Sequence, residues 1–168
     1  LAWKSFAANF NQYLMIPYYM TIGIISIYVV CGVAYRFATN YGMDGINNMI
    51  SALLVYLCVS GAVDLENGTL VIGKLGAAYM FSAMIIALLT VEINHFFAAK
   101  NIVIKLPDSV PPNVAAPFNV LIPLGFTVIV MIIIDGVLTA FTGAGIAGLV
   151  YTVFQPFMRA TGSLPSVI

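Results

Sequence analysis

The sequence predicts an all-α fold, a polytopic transmembrane helical bundle, and three observations carry that expectation. The 168 residues are 62% hydrophobic and only 7% charged, with a mean hydropathy of +1.05, whereas soluble domains carry about 25% charged residues. The charges gather between apolar runs. Several of those runs approach the length of about 20 residues that a helix needs to cross the hydrocarbon core. So few charges cannot clothe a core in water.

The elements follow in order. No residue between Lys4 and Arg36 is charged, and a charge at the bilayer centre costs about 3 kcal/mol or more. This predicts a first span over residues 13–35. The loop ATNYGMDG follows, with Asp44 placed to cap a second helix over residues 46–61. That helix is short for a span, so it either extends into the loop or is buried among its neighbours. Residues 62–74, AVDLENGTLVIGK, form a polar connection with a turn signal at Asn67-Gly68. Asn67-Gly68-Thr69 also matches a glycosylation sequon, but the turn accounts for it. A third helix is expected over 75–97 and a fourth over 119–138. Gly143, Gly145 and Gly148 then break the pattern. The tail 146–158, IAGLVYTVFQPFM, is apolar but interrupted by Gln155 and Pro156, and is expected to be an interfacial or connecting helix. The expected architecture is four spanning helices, a proline-rich inter-helix loop and this C-terminal element.

Arg36, Lys100 and Lys105 fall on one side, against Lys4 and Lys74 on the other. The positive-inside rule therefore puts the 36–45 loop and the proline-rich link in the cytoplasm. The chain opens on Leu1 and ends on LPSVI, and is expected to be a piece of a longer protein.

Several function classes are disfavoured. The six basic and six acidic residues balance, and no basic patch suits nucleic acid. Cys31 and Cys58 sit in apolar runs without metal spacing and read as small core residues. A single histidine excludes a His-based metal cluster within the chain. No GxSxG, GxxxxGK[ST] or HExxH pattern is present, and no cofactor is expected.

Glu92 and His95 are spaced i, i+3, so they share a helix face and can hydrogen-bond. An ionisable residue in a membrane segment is a functional candidate. The competing reading has both merely solvated at the helix end. Asn94 falls on another face, and Asp135 near the far end of the fourth helix reads as interfacial.

The link IKLPDSVPPNVAAPF is the most specific stretch. Prolines lack an N–H and disfavour helix in the preceding residue. Pro107, Pro111, Pro112 and Pro117 are therefore expected to keep most of residues 106–116 extended. Extended backbone must sit in water or be buried in protein beside a cavity. Lys105, Asp108, Ser109 and Asn113 offer hydrogen bonds, while Ile104, Leu106, Val110, Val114 and Phe118 offer anchors. The physical reading is a rigid, folded-in cytoplasmic loop shaped by Pro111 and Pro112. A stiff connector is the plainer alternative.

IKLPDSVPPNVAAPFNVLIP also resembles a loop in the membrane component, enzyme IIC, of the bacterial sugar phosphotransferase system. The branch is the lactose/cellobiose/diacetylchitobiose one, with the pattern K-[ML]-P-x-x-V-P-P-x-V-x-x-x-F. Lys105, Leu106, Pro107, Val110, Pro111, Pro112, Val114 and Phe118 fit it in turn. Upstream, LGAAYMFSAMIIALLTVEINHFF is similar to the helix before that loop. Downstream, VYTVFQPFMRATGSLPSV is similar to the connector into the second half of such a transporter.

The resemblance implies uptake of a sugar, usually a disaccharide such as cellobiose, diacetylchitobiose or lactose. It implies a multi-pass protein of the bacterial cytoplasmic membrane, working as a homodimer within the lipid bilayer. Phosphoryl transfer would come from a separate cytoplasmic enzyme IIB, supplied through enzyme IIA. The family grips its sugar with a His in a Gly-Ile-His-Gly-like stretch and a Glu in a later hairpin. Neither motif is present, and His95, in EINHFF, is not that histidine. The family's first transmembrane helix is also missing from the pattern. Residues 1–145 are thus expected to be a scaffold and dimerisation domain, and 146–168 a connector toward a sugar-binding domain. Lys105, Asp108, Pro111, Pro112 and Asn113 are the candidates for a substrate-path or docking loop. Two rivals remain: a membrane structural or interaction protein without transport, and an ion-coupled carrier using Glu92 and His95.

Overall fold

The computed structural model describes residues 13–64, 66–100 and 112–162, with backbone alone over 112–122 and 157–162. The described helices are α1 (Ile25–Asn40), α2 (Gly45–Val59), α3 (Met80–Ala99), α4 (Pro112–Thr142) and α5 (Ile146–Gly162). Helical turns precede α1, giving a run over Tyr13–Asn40 with a 3₁₀ turn at Ile22–Ile24. A short antiparallel ladder joins β1 (Val63–Asp64) to β2 (Thr69–Leu70).

Among the described residues, three stretches are long and apolar enough to cross a membrane: Tyr13–Asn40, Ala77–Ala99 and Pro123–Thr142. The second expected span stays short. α2 has 15 residues, about 22 Å of helix against a hydrocarbon core of about 30 Å. It is buried between α1, α3 and α4, with Asn48, Ser51, Ala52, Val55, Tyr56 and Val59 covered. Among the described residues the bundle therefore has three span-length helices around a shorter inner one, the buried alternative offered for the second helix.

Small residues let these helices approach. Lipid tails are as apolar as leucine, so membrane helices associate through close packing and hydrogen bonds. The buried residues of α1 are Ser26, Val30, Ala34 and Ala38, one turn apart. α1 packs on α3, whose buried residues include the small Ser82, Ala83, Ala87 and Thr90. At Gly45, a Cβ would come within 2.7 Å of the Tyr35 ring, so only glycine lets α2 start so near α1. The large apolar side chains of α4, among them Ile129, Ile132, Ile133 and Phe141, point outward, as lipid-facing residues can.

Capping groups define the ends. Asp44 Oδ1 accepts from the Ile46 and Asn47 amides at 2.9 and 3.2 Å, as the sequence leads one to expect. Just past the other end of α2, Lys74 Nζ donates to the Gly61 carbonyl at 2.8 Å. Nearby, Tyr56 donates to Ser26 Oγ at 2.8 Å, and the Ser26 amide donates to the Leu75 carbonyl at 3.1 Å. This buried latch ties α1 and α2 to the segment entering α3. The Asn67-Gly68 turn forms between the two strands, with Gly68 at φ +62°.

One expectation is corrected. The fourth helix starts at Pro112 and runs to Thr142, so residues 112–116 are helical where extended chain was expected. Proline suits the first helical position, because the N–H it lacks would be unpaired there and its φ is already helical. Pro112 opens the helix. Pro117 and Pro123 lie inside it, as membrane helices tolerate when neighbours re-satisfy the backbone. The expected C-terminal helix, α5, continues through Pro156, at the loss of one backbone hydrogen bond. The loop residues Lys105, Asp108 and Pro111, with the rest of 101–111, lie outside the described residues.

α5 folds back onto α3. Ser82 Oγ donates to the Ala147 carbonyl at 2.9 Å. Phe81 stacks on Phe154 and Tyr79 on Tyr151, with ring centroids 4.3 and 5.0 Å apart. Asp135, expected at the interface, is half-buried and caps α5, accepting from the Ile146 amide at 2.7 Å.

Candidate functional site at the end of helix α3

The C-terminal turns of α3 carry two polar clusters on different faces, both at the end of the bundle that holds the 41–44 loop. The i, i+3 spacing of Glu92 and His95 puts them on the outer face. The structure brings them together through a third residue. Tyr41 donates its hydroxyl to Glu92 Oε1 at 2.6 Å, and its ring stacks on His95 at 4.4 Å with the planes 3° apart. Among the described residues no hydrogen bond runs directly between Glu92 and His95. The phenol's bond to the carboxylate, then partial burial and the nearby negative charge, hold the Tyr41 pKa above its ordinary value, since each favours the protonated phenol.

The inner face carries Asn94. Its amide donates to Asn48 Oδ1 at 2.8 Å and its carbonyl accepts from Thr127 Oγ1. Asn48 in turn donates to the Asp44 carbonyl at 2.8 Å. A chain of side-chain bonds therefore runs from the α2 cap through α3 to α4. Its members sit in apolar helices, where an unpaired polar group is costly.

Beside this chain opens a cleft of about 280 Å³, lined by Asp44, Asn47, Asn48, Ser51 and Asn94, with Met43, Ala98, Pro123 and Leu124. Amides, a hydroxyl and a carboxylate on apolar walls can hydrogen-bond a neutral polar group. Of the sequence-predicted candidates, Glu92 and His95 lie at this end. Pro112 and Asn113 open α4, and Lys105, Asp108 and Pro111 lie outside the described residues. Sequence reasoning missed Tyr41, Asn48 and Thr127. Amide and hydroxyl residues inside an apolar run were the available signal for the last two. Tyr41 gave none beyond an aromatic at a membrane edge.

Comparison with known proteins places the chain. The family profile for the phosphotransferase system EIIC matches residues 1–168. The oligo-beta-mannoside-specific EIIC component of Bacillus subtilis is 31% identical over 172 residues, covering 98% of this chain and 39% of that protein. The cellobiose-specific EIIC component of Geobacillus stearothermophilus is 35% identical over 140 residues, covering 77% of this chain and 31% of its own length. Among solved structures, ChbC, the IIC component from the N,N'-diacetylchitobiose-specific phosphotransferase system, superposes with a TM-score of 0.79 at 28% identity. That match covers 90% of this chain and 38% of ChbC. The chain thus spans well under half the length of these relatives, and it belongs to the EIIC family of the phosphotransferase system.

Proposed function

We propose that the protein is a sugar permease of the bacterial cytoplasmic membrane, with this chain forming its N-terminal scaffold half. The observation that carries this is the family match over the whole chain, joined to the 0.79 superposition on a diacetylchitobiose-specific IIC component. The relatives named for cellobiose, lactose and oligo-beta-mannosides support a disaccharide-class substrate. In this reading a cytoplasmic enzyme IIB, fed by enzyme IIA, phosphorylates the sugar, and the chain itself performs no chemistry. Residues 1–145 are the scaffold and dimerisation domain, and 146–168 the connector. The packing of α5 on α3 through Ser82, Phe81 and Tyr79 supports a connector anchored to the scaffold. The residues that grip the sugar belong to the other half.

The loop from Lys105 into the start of α4 is the proposed substrate-path or docking element, with Lys105, Asp108 and Asn113 as its polar groups. Pro111 and Pro112 set its exit, and Pro112 pre-forms the first turn of α4. In the full-length protein, Pro111→Gly with Pro112→Gly is expected to lower sugar uptake while leaving dimerisation intact. Unchanged uptake kinetics would remove the loop from the mechanism.

A further inference from the structure

A groove lies between α1 and α3, away from the cleft just described. Its lining is Gly32, Val33, Arg36, Phe37 and Asn40 of α1 with Leu88 of α3, and its volume is about 300 Å³. The walls are apolar except at one end, where Arg36 and Asn40 sit. Arg36 is exposed and has no hydrogen-bond or ion-pair partner for its guanidinium among the described residues. It lies one turn from the end of the Tyr13–Asn40 span. That is about 6 Å along the axis, the depth at which an arginine reaches headgroups while its stem stays in apolar surroundings.

One turn deeper, Gly32 leaves a notch: a Cβ added there would meet nothing within 4 Å. Glycine at an exposed helical position weakens the helix, and no close approach of another element requires it here. The notch instead continues the groove from the guanidinium toward the middle of the span. A cation at headgroup depth above an apolar channel is complementary to one kind of molecule, an anionic phospholipid. We propose that this groove is a binding site for such a lipid. Its phosphate meets Arg36 and Asn40, and the start of an acyl chain lies over Gly32, Val33 and Leu88. Basic pockets between membrane helices bind anionic headgroups in this way. The inference rests on the span-length helices and on an arginine without a partner among the described residues, not on the sugar.

Native mass spectrometry of the full-length protein, titrated with phosphatidylglycerol or phosphatidylcholine, tests it. The wild type is expected to retain phosphatidylglycerol about fivefold more strongly, the factor for one cation near a headgroup. Arg36→Gln should abolish that preference and Arg36→Lys should keep most of it. Gly32→Leu fills the notch, where an added Cβ meets nothing within 4 Å, and improves helix propensity, so it serves even where the arginine variant folds poorly. It should reduce retention of both lipids. Equal retention of the two lipids by the wild type would overturn the proposal. So would an unaltered preference in Arg36→Gln, or unaltered retention in Gly32→Leu, as expected where the rest of the chain covers the groove.

Discussion

Tyr41 and Glu92, 51 residues apart in sequence, are joined by a hydrogen bond of 2.6 Å, and the same tyrosine ring lies flat against His95. One loop side chain thus turns two separate helix residues into a cluster. The bond makes a prediction about titration. Because the carboxylate accepts the phenol's proton, the Tyr41 pKa is raised from its ordinary value of 10.0. A raised value means the folded state holds that proton more tightly. The stabilisation from this pair is therefore complete below the ordinary phenol pKa and lost as pH rises through the folded-state value. NMR of ring-labelled tyrosine should find Tyr41 titrating above the ordinary range, and Glu92→Gln should bring it back down. A Tyr41 titration that ignores Glu92→Gln would contradict the assignment.

The chain from Asn48 through Asn94 to Thr127 fastens α2, α3 and α4 together. Asn94→Leu strands two partners in an apolar setting and is expected to cost about 1–2 kcal/mol. Removing Asn48 and Asn94 together should cost less than the two single changes summed, because they share a bond. Thermal unfolding of the purified protein in detergent checks both. Strict additivity would show that the bond contributes nothing.

Asp135 holds the first turn of α5 through the Ile146 amide, and Gly145 makes room for it. A Cβ at Gly145 would come within 2.5 Å of Asp135 Oδ1. Asp135→Ala removes the cap at a cost of about 1 kcal/mol, whereas Asp135→Asn keeps an accepting oxygen and should cost much less. Gly145→Ala should resemble Asp135→Ala, since it displaces the same carboxylate. Hydrogen exchange at the Ile146 amide reads the cap directly. Slow exchange there in Gly145→Ala would refute the steric link.

Much of this fold was legible because membrane helices obey length and charge rules. The absence of charge between Lys4 and Arg36 and the aspartate ahead of Ile46 gave a span and a cap that the structure contains. Other features depended on tertiary partners. Tyr41 is an ordinary loop aromatic until folding brings Glu92 and His95 to it. Proline was misread at residue 112, because the same ring that breaks a helix interior favours its first turn. The short length of α2 became intelligible only once Asn48, Ser51 and Tyr56 were seen buried against three neighbours.

The proposed role of this chain as part of a phosphotransferase permease makes a direct prediction about uptake. The most direct measurement follows radiolabelled cellobiose into cells expressing the full-length protein, with and without the phosphoryl-donating partners. The expected result is intracellular sugar phosphate that appears only when those partners are active. Accumulation of unmodified sugar without them, driven by an ion gradient and abolished by Glu92→Gln, would contradict it.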